Sequence, residues 1–222
     1  MMAKAIVATI LFSAVSAALF FLCAGRWDLR LAWIYFGSNF LVNMALVLVL
    51  GIKDPGLLKE RLRPAPGDQD KLYRPVSTVF AVLQLMVAGF DAGRRHWFPV
   101  VFAGLQVTAL LLMFAGLLLV TWALFTNSFF SLAVRLQPDR NQVVISTGPY
   151  QYVRHPGYAG GILYVAFTGL ALGSWWASLA AIPILLLIIR RIFLEEAMLR
   201  PGLPGYSEYS VKVPFRIMPG VW

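Results

Sequence analysis

Apolar positions along this chain gather into six runs, at roughly 4–24, 31–52, 76–90, 98–125, 157–173 and 176–194, with polar connections between them. Crossing about 30 Å of hydrocarbon takes roughly 20 apolar residues in a helix, so the longer runs predict membrane spans. The third and fifth are shorter, and the fifth carries Gly160, Gly161, Gly169 and Gly173. These two predict tilted, partial or closely packed spans, since small residues let helix backbones approach one another in lipid. The expected fold is an all-α integral membrane protein of about six transmembrane helices, two of them short. A cytoplasmic cofactor-binding loop and a C-terminal tail complete it. The first run follows Lys4 and contains Ala14-Val15-Ser16-Ala17, but it continues through Phe20-Phe21-Leu22 beyond the usual length of a signal core. It reads as a retained first span.

Composition supports the membrane reading. Charged residues make up 13% of the chain and mean hydropathy is +0.74, whereas soluble domains carry about 25% charged residues. A single cysteine, Cys23, excludes an internal disulfide framework and a cysteine-based metal cluster. The net charge of +9 has no basic stripe with interleaved aromatics to suggest nucleic acid, and topology accounts for it better. With six spans, Lys4, the six basic residues from Lys53 to Arg74, Arg135, Arg140, Arg154 and the five from Arg190 onward share one side, 15 of the 19 Lys and Arg. Arg26, Arg30, Arg94 and Arg95 lie on the other. The positive-inside rule then predicts a multi-pass protein with both termini cytoplasmic.

Two connections are long. Residues 53–75 are mixed in charge and rich in proline, with room for one short interfacial helix around 55–62. Residues 126–156 form the longest stretch without a span, with an extended piece at 141–147 that ends at Gly148-Pro149. The chain divides at that stretch into N-terminal transmembrane helices, 1–125, and a region 126–222 that holds a helical hairpin, 157–194, and the tail. The tail is expected to start helical and to be broken by Pro201 and Pro204.

Polar chemistry concentrates in the second region. Tyr150, Tyr152, Arg154, His155 and Tyr158 crowd the entry to the fifth run. Proline suits the first turn of a helix, so His155-Pro156 marks a helix N-terminus whose free N–H groups favour a carboxylate or phosphate. Three tyrosines offer flat faces for a nucleobase. An interfacial aromatic belt that anchors a span explains the same residues. At the end of the sixth run, Arg191 and Glu195 share a helix face and can pair. Glu195-Glu196 can hold ribose hydroxyls or an amine, or can be a solvated helix end. Gln84 and Asn127 read as helix–helix hydrogen bonds, and His96 as interfacial. The only histidines, His96 and His155, fall on opposite sides, which argues against a histidine metal site. No strand precedes a glycine-rich phosphate loop, which excludes a Rossmann cofactor site.

From about Gln142 to Trp222 the chain resembles the isoprenylcysteine carboxyl methyltransferase family and its phospholipid methyltransferase relatives. The residues that carry the resemblance are Gly148-Pro149-Tyr150, Arg154-His155-Pro156-Gly157-Tyr158-Ala159-Gly160, Arg191 with Glu195-Glu196, Leu199, Gly205-Tyr206, Tyr209 and Ile217-Met218-Pro219-Gly220. Pro204-Gly205 stands where the family often has Phe-Gly. The resemblance implies an S-adenosylmethionine-dependent methyltransferase with no metal. Gln142, Val143, Val144, Ile145, Tyr150, His155, Pro156, Gly157, Tyr158, Glu195 and Glu196 would hold the cofactor, and Arg191 would orient the acceptor. A lipophilic or prenylated acceptor would enter from the bilayer among membrane lipids. A carboxylate acceptor needs no base, whereas the amine of a phospholipid needs one, which Glu196 or His155 can supply. A sterol-type NADPH reductase and a non-enzymatic bundle are the other readings.

Overall fold

The computed structural model describes residues 1–62, 66–95, 97 and 100–222, and His96 lies outside them. Among the described residues every regular element is a helix. These are α1 (Met2–Ala24), α2 (Arg30–Lys53), α3 (Pro55–Leu62), α4 (Tyr73–Phe90), α5 (Ala103–Thr126), α6 (Pro156–Ala171), α7 (Trp175–Ala180), α8 (Ile182–Gly202) and α9 (Tyr206–Lys212). Each apolar run is helical, the sixth as two helices, and the short interfacial helix is α3. Among the described residues five stretches are long and apolar enough to cross a membrane: α1, α2, Tyr73–Arg95, α5 and Trp175–Gly202. Their outer faces show bare Phe12, Leu41, Leu111 and Leu186, as lipid-facing helices must.

The two short runs part company. The third is not short in space. Tyr73, Arg74 and Pro75 prolong α4 at its start, where Ser77 Oγ and Thr78 Oγ1 donate to the Arg74 carbonyl. A wide π turn, Asp91–Arg95, continues it at the end. Asp91 is buried there and accepts from Ser174 Oγ at 2.7 Å and Trp97 N–H at 2.8 Å. The polar residues hid the helix from a hydropathy reading. The fifth run stays short: α6 has 16 residues, about 24 Å at 1.5 Å per residue.

Close packing compensates for that length. Helices α5 and α6 form the most extensive helix–helix contact in the molecule. Their backbones touch at Gly116 and Gly160, where an added Cβ on Gly160 would lie 2.5 Å from the Gly116 carbonyl oxygen. Gly160→Val is therefore expected to cost about 1–3 kcal/mol through overpacking, seen as a lower melting temperature of the detergent-purified protein; an unchanged melt would contradict it. Beside this seam, Gln84 Nε2 on α4 donates to the Val165 carbonyl of α6 at 3.2 Å, the helix–helix role expected of it. Tyr164 donates to Asn39 Oδ1 at 2.9 Å and lies 3.1 Å from the Tyr35 hydroxyl, tying α6 to α2.

The C-terminal half departs from expectation in two places. The sixth run breaks at Ala181 into α7 and α8, with Pro183 in the first turn of α8. Helix α8 then runs through Pro201 to Gly202 instead of stopping at the proline. The chain turns only at Gly205, whose φ of +81° suits glycine. Residues 142–145 form no strand among the described residues. Their anchor is the Gln142 side chain, whose Oε1 accepts from the Gln137 N–H at 2.7 Å.

Candidate active site

A cavity of about 280 Å³ opens where the 127–145 loop, the start of α6, the end of α8 and α9 converge. That is near the small end for ligand sites, roughly 300–1,000 Å³. Gln142, Val143, Val144, Ile145, Tyr150, His155, Gly157, Tyr158, Arg191 and Glu195 all line it. Residues some fifty positions apart thus meet at one space.

Helix α6 begins at Pro156 with His155 before it, as the dipeptide predicts. This orients Tyr158 toward α8. Its hydroxyl donates to Glu195 Oε2 at 2.7 Å and accepts from Arg191 Nε at 2.9 Å. Arg191 and Glu195 share a face as expected, but they meet through this tyrosine. Arg191 is 3% exposed. Its Nη2 donates to the Leu132 carbonyl at 2.6 Å, and its guanidinium lies 4.6 Å above the Tyr73 ring. Nη1 has no hydrogen-bond partner and stands 3.9 Å from the equally unpartnered Oδ2 of buried Asp70. The long ion pair leaves the hydrogen-bonding capacity of both groups unmet, which is costly for buried charges.

Glu196 faces the other way. It does not line the cavity, because adjacent residues on a helix point about 100° apart. It is buried against the tail, where Arg154 Nε donates to Oε1 at 2.7 Å and Arg216 Nε to Oε2 at 3.1 Å. His155 Nε2 stands 3.4 Å from Oε1 and Arg200 3.6 Å from Oε2. Arg154 also donates to the Val213 carbonyl at 2.7 Å. The backbone N–H groups of Arg154 and His155 donate to the carbonyls of Phe215 and Arg216. Glu196 is thus a structural clasp that holds the tail over α6. Pro156 is likewise wholly buried behind the cavity wall, and Tyr152 is exposed.

The tail supplies further residues of the site, beyond those expected from the sequence. Tyr206 and Tyr209 line the cavity. The Tyr209 hydroxyl donates to the Tyr150 carbonyl at 2.7 Å, while the buried Tyr206 hydroxyl has no partner. Burial pushes the Tyr209 phenol up to about 12 and raises Tyr150 and Tyr206 as well, so all three stay neutral donors at physiological pH. Asn127, expected only to bridge helices, also lines the cavity and donates to the Tyr150 hydroxyl at 3.2 Å. The ring of Phe130 packs where a Cβ on Gly157 would sit. Arg61 and Tyr73 come from the first half of the chain, and no local motif announces them.

Residues 105–202 match the family model for phospholipid methyltransferases. That stretch takes in α5 to α8 and both Arg191 and Glu195. Among solved structures, the chain is similar to a eukaryotic intramembrane Ras methyltransferase, isoprenylcysteine carboxyl methyltransferase, with a TM-score of 0.56. The alignment covers 97% of this chain and 86% of that one at 19% identity. The fold is that of an intramembrane methyltransferase. No curated protein matches the chain in sequence.

Proposed function

We propose that this protein is a membrane methyltransferase that uses S-adenosylmethionine to esterify the carboxylate of a lipophilic acceptor. The observation that carries this reading is the cavity lined by Arg191 and Tyr206, whose Nη1 and hydroxyl lack hydrogen-bond partners, together with aromatic rings and the Glu195 carboxylate. Such a lining suits a nucleoside with an amino-acid tail. Glu195 and the tyrosines would hold its polar groups, and Val143, Val144 and Ile145 would cover its base. When bound, S-adenosylmethionine supplies a sulfonium methyl that passes to the acceptor oxygen as the carbon–sulfur bond breaks, leaving S-adenosylhomocysteine, with no proton transferred.

Catalysis then rests on alignment, which can contribute several kcal/mol without any acid or base. Arg191 suits this: three contacts fix its plane, and Nη1, which has only the long ion pair to Asp70, would orient an incoming anion. A carboxylate is already ionised near neutrality. The rate is therefore expected to stay flat between about pH 7 and 9, whereas an amine acceptor would need deprotonation and its rate would climb. The positive-charge bias supports cytoplasmic termini and a site open to the cytosolic cofactor. The lipophilic acceptor, a prenylated cysteine or a fatty acid among others, would enter from the bilayer. Phospholipid N-methylation is the second reading, favoured by the family model that matches 105–202.

Membranes containing the protein, given methyl-labelled S-adenosylmethionine, distinguish the two. Label in lipid or protein that mild base releases as volatile methanol is the expected result. Base-stable label in phospholipid headgroups would overturn the carboxylate assignment.

A further inference from the structure

Four arginines line the cavity: Arg61, Arg135, Arg154 and Arg191. Three are accounted for. Arg135 forks onto Glu60 and Asp139 at 3.0 and 2.8 Å, and Arg154 is held by Glu196. Arg191 is oriented by Tyr158 and Leu132, with Asp70 nearby. Arg61 differs. Among the described residues it forms no ion pair, and its one hydrogen bond is a long one, from Nη1 to the Phe130 carbonyl at 3.4 Å. Its guanidinium rests 5.5 Å from the centre of the Phe130 ring.

This is not a loose surface side chain. Helix α3 is capped by Asp54 Oδ1, which accepts from the Leu57 N–H at 2.8 Å. Leu57 and Leu58 are buried against Ala5, Val47, Leu50 and Leu124. Next to Arg61, Glu60 is 6% exposed and bound to both Arg135 and Ser131 Oγ. The helix is therefore clamped to the 131–135 loop, and Arg61 is delivered to the cavity wall from a fixed base. Burial alone pushes its pKa down to about 10. A desolvated cation with no counter-charge is costly, and an anionic ligand would relieve that cost.

Resting on the carboxylate reading above, we propose that Arg61 is a second acceptor-binding residue. It grips the carboxylate of the incoming amphiphile, with Arg191 as a second cationic group on the same cavity. The pair makes the site select anionic over amine acceptors. A forked guanidinium matches a carboxylate in a way that an ammonium does not, and the Phe130 ring beside it gives the acceptor's first methylenes an apolar surface.

The test uses purified full-length protein in detergent, methyl-labelled S-adenosylmethionine, and palmitate and N-acetyl-S-farnesylcysteine as carboxylate probes. Arg61→Gln is expected to raise the acceptor KM about 10–100-fold, the effect of removing a hydrogen bond to a charged group. The affinity for S-adenosylhomocysteine should stay within about threefold, which also reports an intact fold. Arg61→Lys should recover part of the loss. An unchanged acceptor KM in Arg61→Gln overturns the assignment and leaves Arg61 as a headgroup anchor. So does a parallel loss of S-adenosylhomocysteine binding. A wild-type protein that labels neither carboxylate overturns the functional reading itself, whereas wild-type labelling with an indifferent Arg61→Gln overturns only the role of Arg61.

Discussion

Glu196→Ala should lower stability by about 3–5 kcal/mol, the usual cost of leaving a buried charge without its partner. It should abolish binding of S-adenosylhomocysteine at the same time. Arg154 and Glu196 are both nearly inaccessible, and Arg216, packed against the paired rings of Phe193 and Trp222, closes the same carboxylate from the tail side. Without Glu196, Arg154 keeps only the Val213 carbonyl. The tail then loses the charged part of what holds it over α6 and keeps the backbone bonds at Phe215 and Arg216, the Val213 carbonyl and the Tyr209 hydroxyl, and Tyr206 and Tyr209 are expected to shift in the cavity. Glu196→Gln should be milder, because the amide still accepts one hydrogen bond. The double change Glu196→Met with Arg154→Met should recover part of the stability, since it removes both charges together. Thermal unfolding followed by tryptophan fluorescence checks this order. A Glu196→Ala protein with wild-type melting and wild-type binding would show that the clasp is dispensable.

Arg191→Ala is expected to reduce methyl transfer about 100-fold or more while S-adenosylhomocysteine affinity changes less than about threefold. Small misplacements of reacting groups can cost this much. Arg191→Lys should do little better. The native side chain uses Nε for Tyr158 and Nη2 for the Leu132 carbonyl, the proposed role gives Nη1 to the acceptor, and one ammonium cannot reproduce that fork. Tyr158→Phe should fall between the two, because it removes the bridge to Glu195 but leaves the Leu132 contact. Single-turnover transfer rates alongside binding constants separate these effects. If Arg191→Ala weakens S-adenosylhomocysteine binding as much as transfer, Arg191 belongs to the cofactor rather than the acceptor.

Much of this arrangement was legible in the chain. Long apolar runs have one solution in lipid, because backbone groups must bond within the segment, and so the helices lie where hydropathy puts them. His155-Pro156 announced the start of α6, and Gln84, alone and polar in mid-span, announced a cross-helix bond. The limits have physical causes too. Hydropathy does not see a helical turn built from Tyr73, Arg74 and Pro75. Glu195 and Glu196 are chemically identical, and only the tail folding back onto α6 decides that one faces the cavity and the other the clasp. Tyr150 and Tyr152 are separated the same way, one inside and one exposed. Arg61 and Tyr73 reach the cavity through packing across more than fifty residues of chain, with no motif of their own. The family resemblance weighed the C-terminal residues and was silent on these.

Calorimetric titration of the detergent-purified protein with S-adenosylhomocysteine and, separately, NADPH tests the central claim most directly. Saturable one-site binding of S-adenosylhomocysteine, weakened by Glu195→Gln and by Tyr206→Phe, with no heat from NADPH, is the result expected of a methyl-donor pocket. Binding of NADPH without S-adenosylhomocysteine would contradict it and assign the cavity to a reductase.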